Sequence, residues 1–133
     1  MTHKIGEIKD LDRTAETKFE QININTVEDL LKETNTPSKR SALAKQISVS
    51  DSQLTNWINR ADLMRLKGVG TEMANLLEEA GVDSCKELQH RKPDHLQSRL
   101  KEVNDAQKLT HHAPTLAQVQ EWVKEAGTFA AQA

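Results

Sequence analysis

The chain reads as an all-α protein built from two tandem copies of one unit of short helices. Three observations lead there. No segment sustains the period-two alternation of a half-buried strand, and the β-branched residues are scattered. Apolar residues instead recur at i, i+3, i+4 and i+7, as in Leu54, Trp57, Ile58, Ala61 and again in Val119, Trp122, Val123, Ala126. These two sets also belong to an internal repeat. A shift of 58 residues pairs Ile5 with Leu63, Ile8 with Leu66, Phe19 with Leu77, Ile24 with Val82 and Leu30 with Leu88. A shift of 65 residues pairs the two tryptophan segments.

In chain order, Ile5, Ile8 and Leu11 begin an apolar pattern that Ala15 and Phe19 resume after a break near Asp10-Leu11-Asp12. Asn25-Thr26-Val27-Glu28 has the form of a capping box, with Asn25 at the N-cap, opening a short helix through Leu30 and Leu31. Pro37 suits a first helical turn, where its missing N–H is not needed, and Leu43, Ala44 and Ile47 follow. Ser50-x-x-Gln53 opens the first tryptophan helix. In the second copy, Leu63 and Leu66 precede a glycine hairpin, and Met73, Ala74, Leu76 and Leu77 form the next apolar face. Pro93 starts a helix carrying Leu96, Leu100 and Val103, and Thr115-x-x-Gln118 opens the second tryptophan helix. About ten short helices are expected, counting the hairpin pieces. The copies are placed at 1–61 and 62–127, with 128–133, including Phe129, as a frayed tail. The change of shift implies about seven extra residues around Asp105 to Pro114. A copy this small buries little surface alone, so Trp57 and Trp122 are expected in the core, near a seam shared by the copies.

Composition narrows the function. Of 133 residues, 36% are hydrophobic and 29% charged, with 18 Lys and Arg against 20 Asp and Glu. A net charge of −2 provides no bulk attraction to nucleic acid or an anionic membrane, so phosphate binding would have to come from local geometry. Tyrosine is absent and aromatics are 3%, which argues against base stacking on single strands. The single cysteine, Cys85, cannot form an intramolecular disulfide, and no signal peptide or membrane-spanning stretch is recognisable. A cytoplasmic protein is expected.

Lys67-Gly68-Val69-Gly70-Thr71 is the one run whose residue choices require a special backbone. Glycine tolerates positive φ and close approach of another backbone. A Gly-apolar-Gly hairpin opening a helix also leaves the first amides without intrahelical partners, at the positive end of the helix dipole. Such a site suits phosphate, with Arg65 and Lys67 adding charge and Thr71 a hydroxyl. The alternative is a tight turn between packed helices. Glu72 in the first turn of that helix would compete with an incoming anion. In the first copy the glycines become Asp10 and Asp12, which would repel phosphate or cap the local amides themselves.

The other constellations are weaker. His90 and His95 are five apart, His111 and His112 are adjacent, and with one thiol no zinc site is expected. Cys85 reads as a buried small hydrophobe. No nucleophile triad, Walker loop or HExxH motif is present, so no catalytic residues and no cofactor are assigned. The clusters Lys39-Arg40 with Lys45, and Lys86 with Arg91-Lys92, read as solvated faces.

Leu66-Lys67-Gly68-Val69-Gly70-Thr71-x-x-Ala74-x-x-Leu77 resembles the helix-hairpin-helix motif, and the continuation through Leu88 looks like the same family. It is similar to the amino-terminal domain of RecA-type recombinases of archaea and eukaryotes and to the carboxy-terminal domain of the bacterial RNA polymerase alpha subunit. Nearly the whole chain also resembles an uncharacterised bacterial domain family whose members end in a Pro-Thr/Ser-Leu-x-x-Val-x-x-Trp helix, here Pro114 to Trp122. The motif implies sequence-independent binding of duplex backbone through Gly68, Val69 and Gly70, with Lys67 and Thr71 beside them. Lys67 departs from the usual proline. Many such domains dock proteins instead. The expectation is a non-enzymatic module that binds duplex DNA weakly, or alternatively a protein-interaction adaptor.

Overall fold

The computed structural model describes residues 3–131. A 3-10 turn at Ile5–Glu7 is followed by α1 (Arg13–Gln21), α2 (Val27–Glu33), α3 (Pro37–Gln46), α4 (Asp51–Met64), α5 (Thr71–Glu79), α6 (Cys85–Leu88), α7 (Pro93–Gln107) and α8 (Leu116–Ala131). Among the described residues the only extended pairing is an isolated bridge between Lys4 and Thr26, so the fold is all-α. Among the described residues nine helical pieces replace the ten or so expected, because residues 63–64 belong to α4 and form no separate helix. No described helix is long and apolar enough to cross a membrane. The described residues fall into two compact units that divide between Arg65 and Leu66.

In the first unit every α-helix begins at a side-chain cap: Asp12 for α1, Thr26 for α2, Thr36 for α3 and Ser50 for α4. The cap of α2 lies one residue later than Asn25. Thr26 Oγ1 accepts from the Asp29 N–H at 3.1 Å, and Asp29 Oδ2 accepts from the N–H groups of both Thr26 and Asn25. Asp29 therefore fills the role expected of Glu28, and Asn25 becomes the residue before the cap. The backbone donation from Asn25 is the main cause holding the Asp29 carboxyl below its ordinary range. Pro37 occupies the first turn of α3 as expected. Cations close the helices at their other ends: Arg40 Nε donates to Thr34 O at 2.8 Å after α2, and Lys18 Nζ to Ile47 O at 3.0 Å after α3. α4 packs on α2 and α3, and Trp57, 2% exposed, meets Phe19 edge to face with ring centroids 5.9 Å apart.

The second unit packs in the same order, with α8 lying on α6 and α7. Leu76, Leu77, Val82, Cys85, Leu88 and Leu100 are buried, as is Trp122 at 3%. Several positions 58 residues apart share backbone features. Residues 13–21 and 71–79 are both helical. The bond from Ile24 N–H to Phe19 O at 2.9 Å recurs as Val82 N–H to Leu77 O at 2.9 Å. Thr26 capping Asp29 recurs as Ser84 capping Glu87. Asp10 and Asn23 have φ of 67° and 64°, and the residues 58 later, Gly68 and Gly81, have 82° and 96°.

Three boundaries differ from the sequence reading. α4 runs through Ala61 to Met64, because Ala-Asp-Leu-Met contains nothing that stops a helix and Leu63 and Met64 are buried. α8 likewise continues through Thr128 and Phe129 to Ala131 in place of a frayed tail from Thr128, since Ala126 and the half-buried Phe129 keep its apolar face in contact. The extra length in the second copy is shared between α7, 15 residues against 10 in α3, and the connection at 108–115, longer than 47–50. That connection is held firmly. The buried Asn104 amide donates to Thr110 O at 3.1 Å and accepts from the Thr110 N–H at 2.9 Å, while Gln97 Nε2 reaches Pro114 O at 3.2 Å.

Candidate functional site

The segment from Leu66 to Thr71 forms a closed turn at the start of α5. The Val69 N–H returns to Leu66 O at 3.1 Å, and the Val69 side chain is fully buried, anchoring the turn to the core. Gly68 supplies the left-handed residue. A Cβ there would meet no atom within 4 Å, so conformation and not crowding demands glycine. Gly70 is different. Its φ of −98° and ψ of −164° are extended backbone open to other residues, which corrects the expectation that both glycines serve a special conformation. Gly70 is the N-cap of α5, and having no side chain it leaves the helix start without a side-chain cap. In the first unit the equivalent residue, Asp12, accepts from the Ala15 N–H at 2.7 Å. The amide equivalent to Ala15 in the second unit is that of Met73.

α8 braces the turn through two hydrogen bonds. Trp122 Nε1 donates to Lys67 O at 2.9 Å, and the Lys67 N–H donates to Glu125 Oε1, also at 2.9 Å. Trp122 and Glu125 lie three apart on one helical face, so α8 grips both polar groups of one residue. The Lys67 peptide is therefore committed to the protein, while its side chain is exposed. The N–H that proline would lack finds its partner in Glu125.

The other candidates divide. Thr71 is the half-buried first residue of α5, and Glu72 is exposed in its first turn. Arg65 caps the C-terminus of α4 and its guanidinium turns back onto the Asp62 carboxylate, in the first unit. Its charge is thus partly neutralised. The signal was present in the sequence, since an Asp three residues before an Arg on a helix makes such a pair. Arg91 lies beside Gly81 and reaches Glu87 at 3.5 Å. No local pattern announces Glu125, whose contact spans 58 residues.

A polar cleft of about 410 Å³ opens beside the turn, between Glu72 and the end of α7 with its connection, including Asp105, Lys108 and His111. Among the described residues no three His, Cys, Asp or Glu side chains come together as a metal-ligand set. The lowered carboxyls, Glu7 and Asp29, owe their shifts mainly to backbone N–H donors at helix starts, Lys4 and Asn25 respectively. Those are capping roles.

An all-helical pair of units with one uncapped glycine turn defines a class of small helical module. The chain belongs to the family described as domain of unknown function (DUF4332), whose model matches residues 9–129. Neither the curated proteins nor the solved structures contain a match to it.

Proposed function

We propose that this protein is a non-enzymatic helix-hairpin-helix module that binds the backbone of duplex nucleic acid, weakly and without sequence preference, through the turn of its second unit. One observation carries the reading. At the start of α5 Gly70 presents no side-chain cap, where the first unit fills the equivalent place with the Asp12 carboxylate. A helix start of nine residues with a bare N-cap, exposed Gly68 and an exposed Lys67 side chain is suited to a phosphate oxygen. The first unit supplies its own anion and takes no part.

The second reading, a protein-docking adaptor, draws support from Glu125. A carboxylate already sits on the Lys67 amide, in a chain whose net charge is −2. Anisotropy of a labelled duplex separates the two. Backbone binding predicts a weak association that falls with salt at a log–log slope of about −1 to −3, since one turn neutralises few phosphates. No association at low salt would leave the adaptor reading in its place.

A further inference from the structure

We propose that Glu125 is the residue that limits the affinity of the second turn for anions, acting as a built-in competitor held against it. The inference rests on the reading of that turn as the backbone-binding element. Its Oε1 accepts from the Lys67 N–H at 2.9 Å, on the residue immediately before Gly68. The carboxylate is held there by its helix. Trp122, one turn earlier on the same face, is buried and bonded to Lys67 O, so the register of α8 against the turn is set by the core and Glu125 follows from it. Glu125 itself is only half-buried, so its charge can be removed without opening the core.

A negative charge within a few ångströms of the turn opposes a second anion, and this opposition is strongest in low salt. The affinity of the turn for any anion, a single phosphate or a nucleic-acid backbone, is thereby lowered. Affinity is weak by construction. Glutamine at 125 keeps a carbonyl oxygen able to accept from the Lys67 N–H and removes the charge. It therefore separates the bracing role from the electrostatic one.

The test measures binding of a labelled duplex by the full chain carrying Glu125→Gln, Glu125→Ala or Glu121→Gln, beside the unaltered protein. Glu121 is exposed on the same helix, and its substitution changes net charge equally without a contact on the turn. The expected result is binding about three- to tenfold tighter for both Glu125 variants in low salt, with the gap closing as salt rises and Glu121→Gln close to the unaltered protein. If the unaltered protein binds but neither Glu125 variant binds more tightly, Glu125 is only a brace and the inference is overturned. An equal gain from Glu121→Gln overturns it too, as a general charge effect. If none of the proteins binds duplex, the backbone-binding reading itself has failed, and the inference fails with it.

Discussion

Asp10 and Gly68 hold the same left-handed backbone, φ 67° and 82°, at equivalent places in the two units. A left-handed residue is required at this turn whichever side chain occupies it, and aspartate is among the few non-glycines that tolerate it. Gly68→Ala should therefore destabilise the protein by about 1–2 kcal/mol, although no atom obstructs the methyl group. Gly68→Asn should cost less. Denaturant unfolding followed by circular dichroism checks both, and equal stability of the alanine variant would contradict the assignment.

Gly70→Asp should move stability and binding in opposite directions. Its backbone is extended, so the new carboxylate can cap α5 as Asp12 caps α1, for a gain of a few tenths of a kcal/mol. The same carboxylate should abolish duplex binding. Loss of binding together with loss of folding would show that Gly70 has a structural role the geometry does not reveal.

The reverse exchange belongs to the first unit. Asp10→Gly with Asp12→Gly removes two carboxylates and a cap, costing only a few tenths of a kcal/mol at α1. Duplex affinity, titrated at low salt, should rise as a second turn becomes available. An unchanged affinity would mean that the first unit differs from the second in more than its two aspartates.

Trp57→Ala and Trp122→Ala should each cost about 3–5 kcal/mol, since both side chains are buried. Phenylalanine distinguishes them. Trp122→Phe also strips Lys67 O of its donor, adding about 1 kcal/mol or more, whereas Trp57→Phe keeps a ring against Phe19. Paired unfolding curves measure the difference.

Acid should weaken the first unit through its helix starts. Glu7 and Asp29 are held below their ordinary values of 4.5 and 3.8, chiefly by the backbone donors Lys4 and Asn25. A depressed folded value means the stabilisation is complete above the ordinary carboxylate range and is lost as pH falls through the lowered one. Asp29→Asn should flatten the acid limb of stability against pH and leave its neutral plateau flat. Melting curves from neutral to strongly acidic buffer would reveal this.

Much of the helix pattern was legible because its signals are local. Ser50 and Thr115 cap within three residues, Pro37 and Pro93 open their helices, and the apolar faces repeat at helical spacing. The one-residue displacement from Asn25 to Thr26 arose because Glu28 and Asp29 both offer a carboxylate, and only geometry decides which folds back. Asp12 as a cap was also readable, since it stands directly before a helix. The brace on the turn was not. Trp122 and Glu125 read as core and surface of an ordinary amphipathic helix, and their bonds to Lys67 join residues 55 and 58 positions apart. Nothing in either segment alone records that meeting.

The bond between the Trp122 indole and Lys67 O makes the turn observable without an attached reporter group. The chain has two tryptophans, so a proton–nitrogen correlation spectrum contains two indole signals, and one of them belongs to a group hydrogen-bonded to the residue before Gly68. Any ligand that shifts the turn must alter that bond and move that signal, while Trp57, packed on Phe19 in the first unit, serves as the internal reference. The molecule carries its own probe at its most informative position, and one titration with a candidate partner would report whether the turn had been touched.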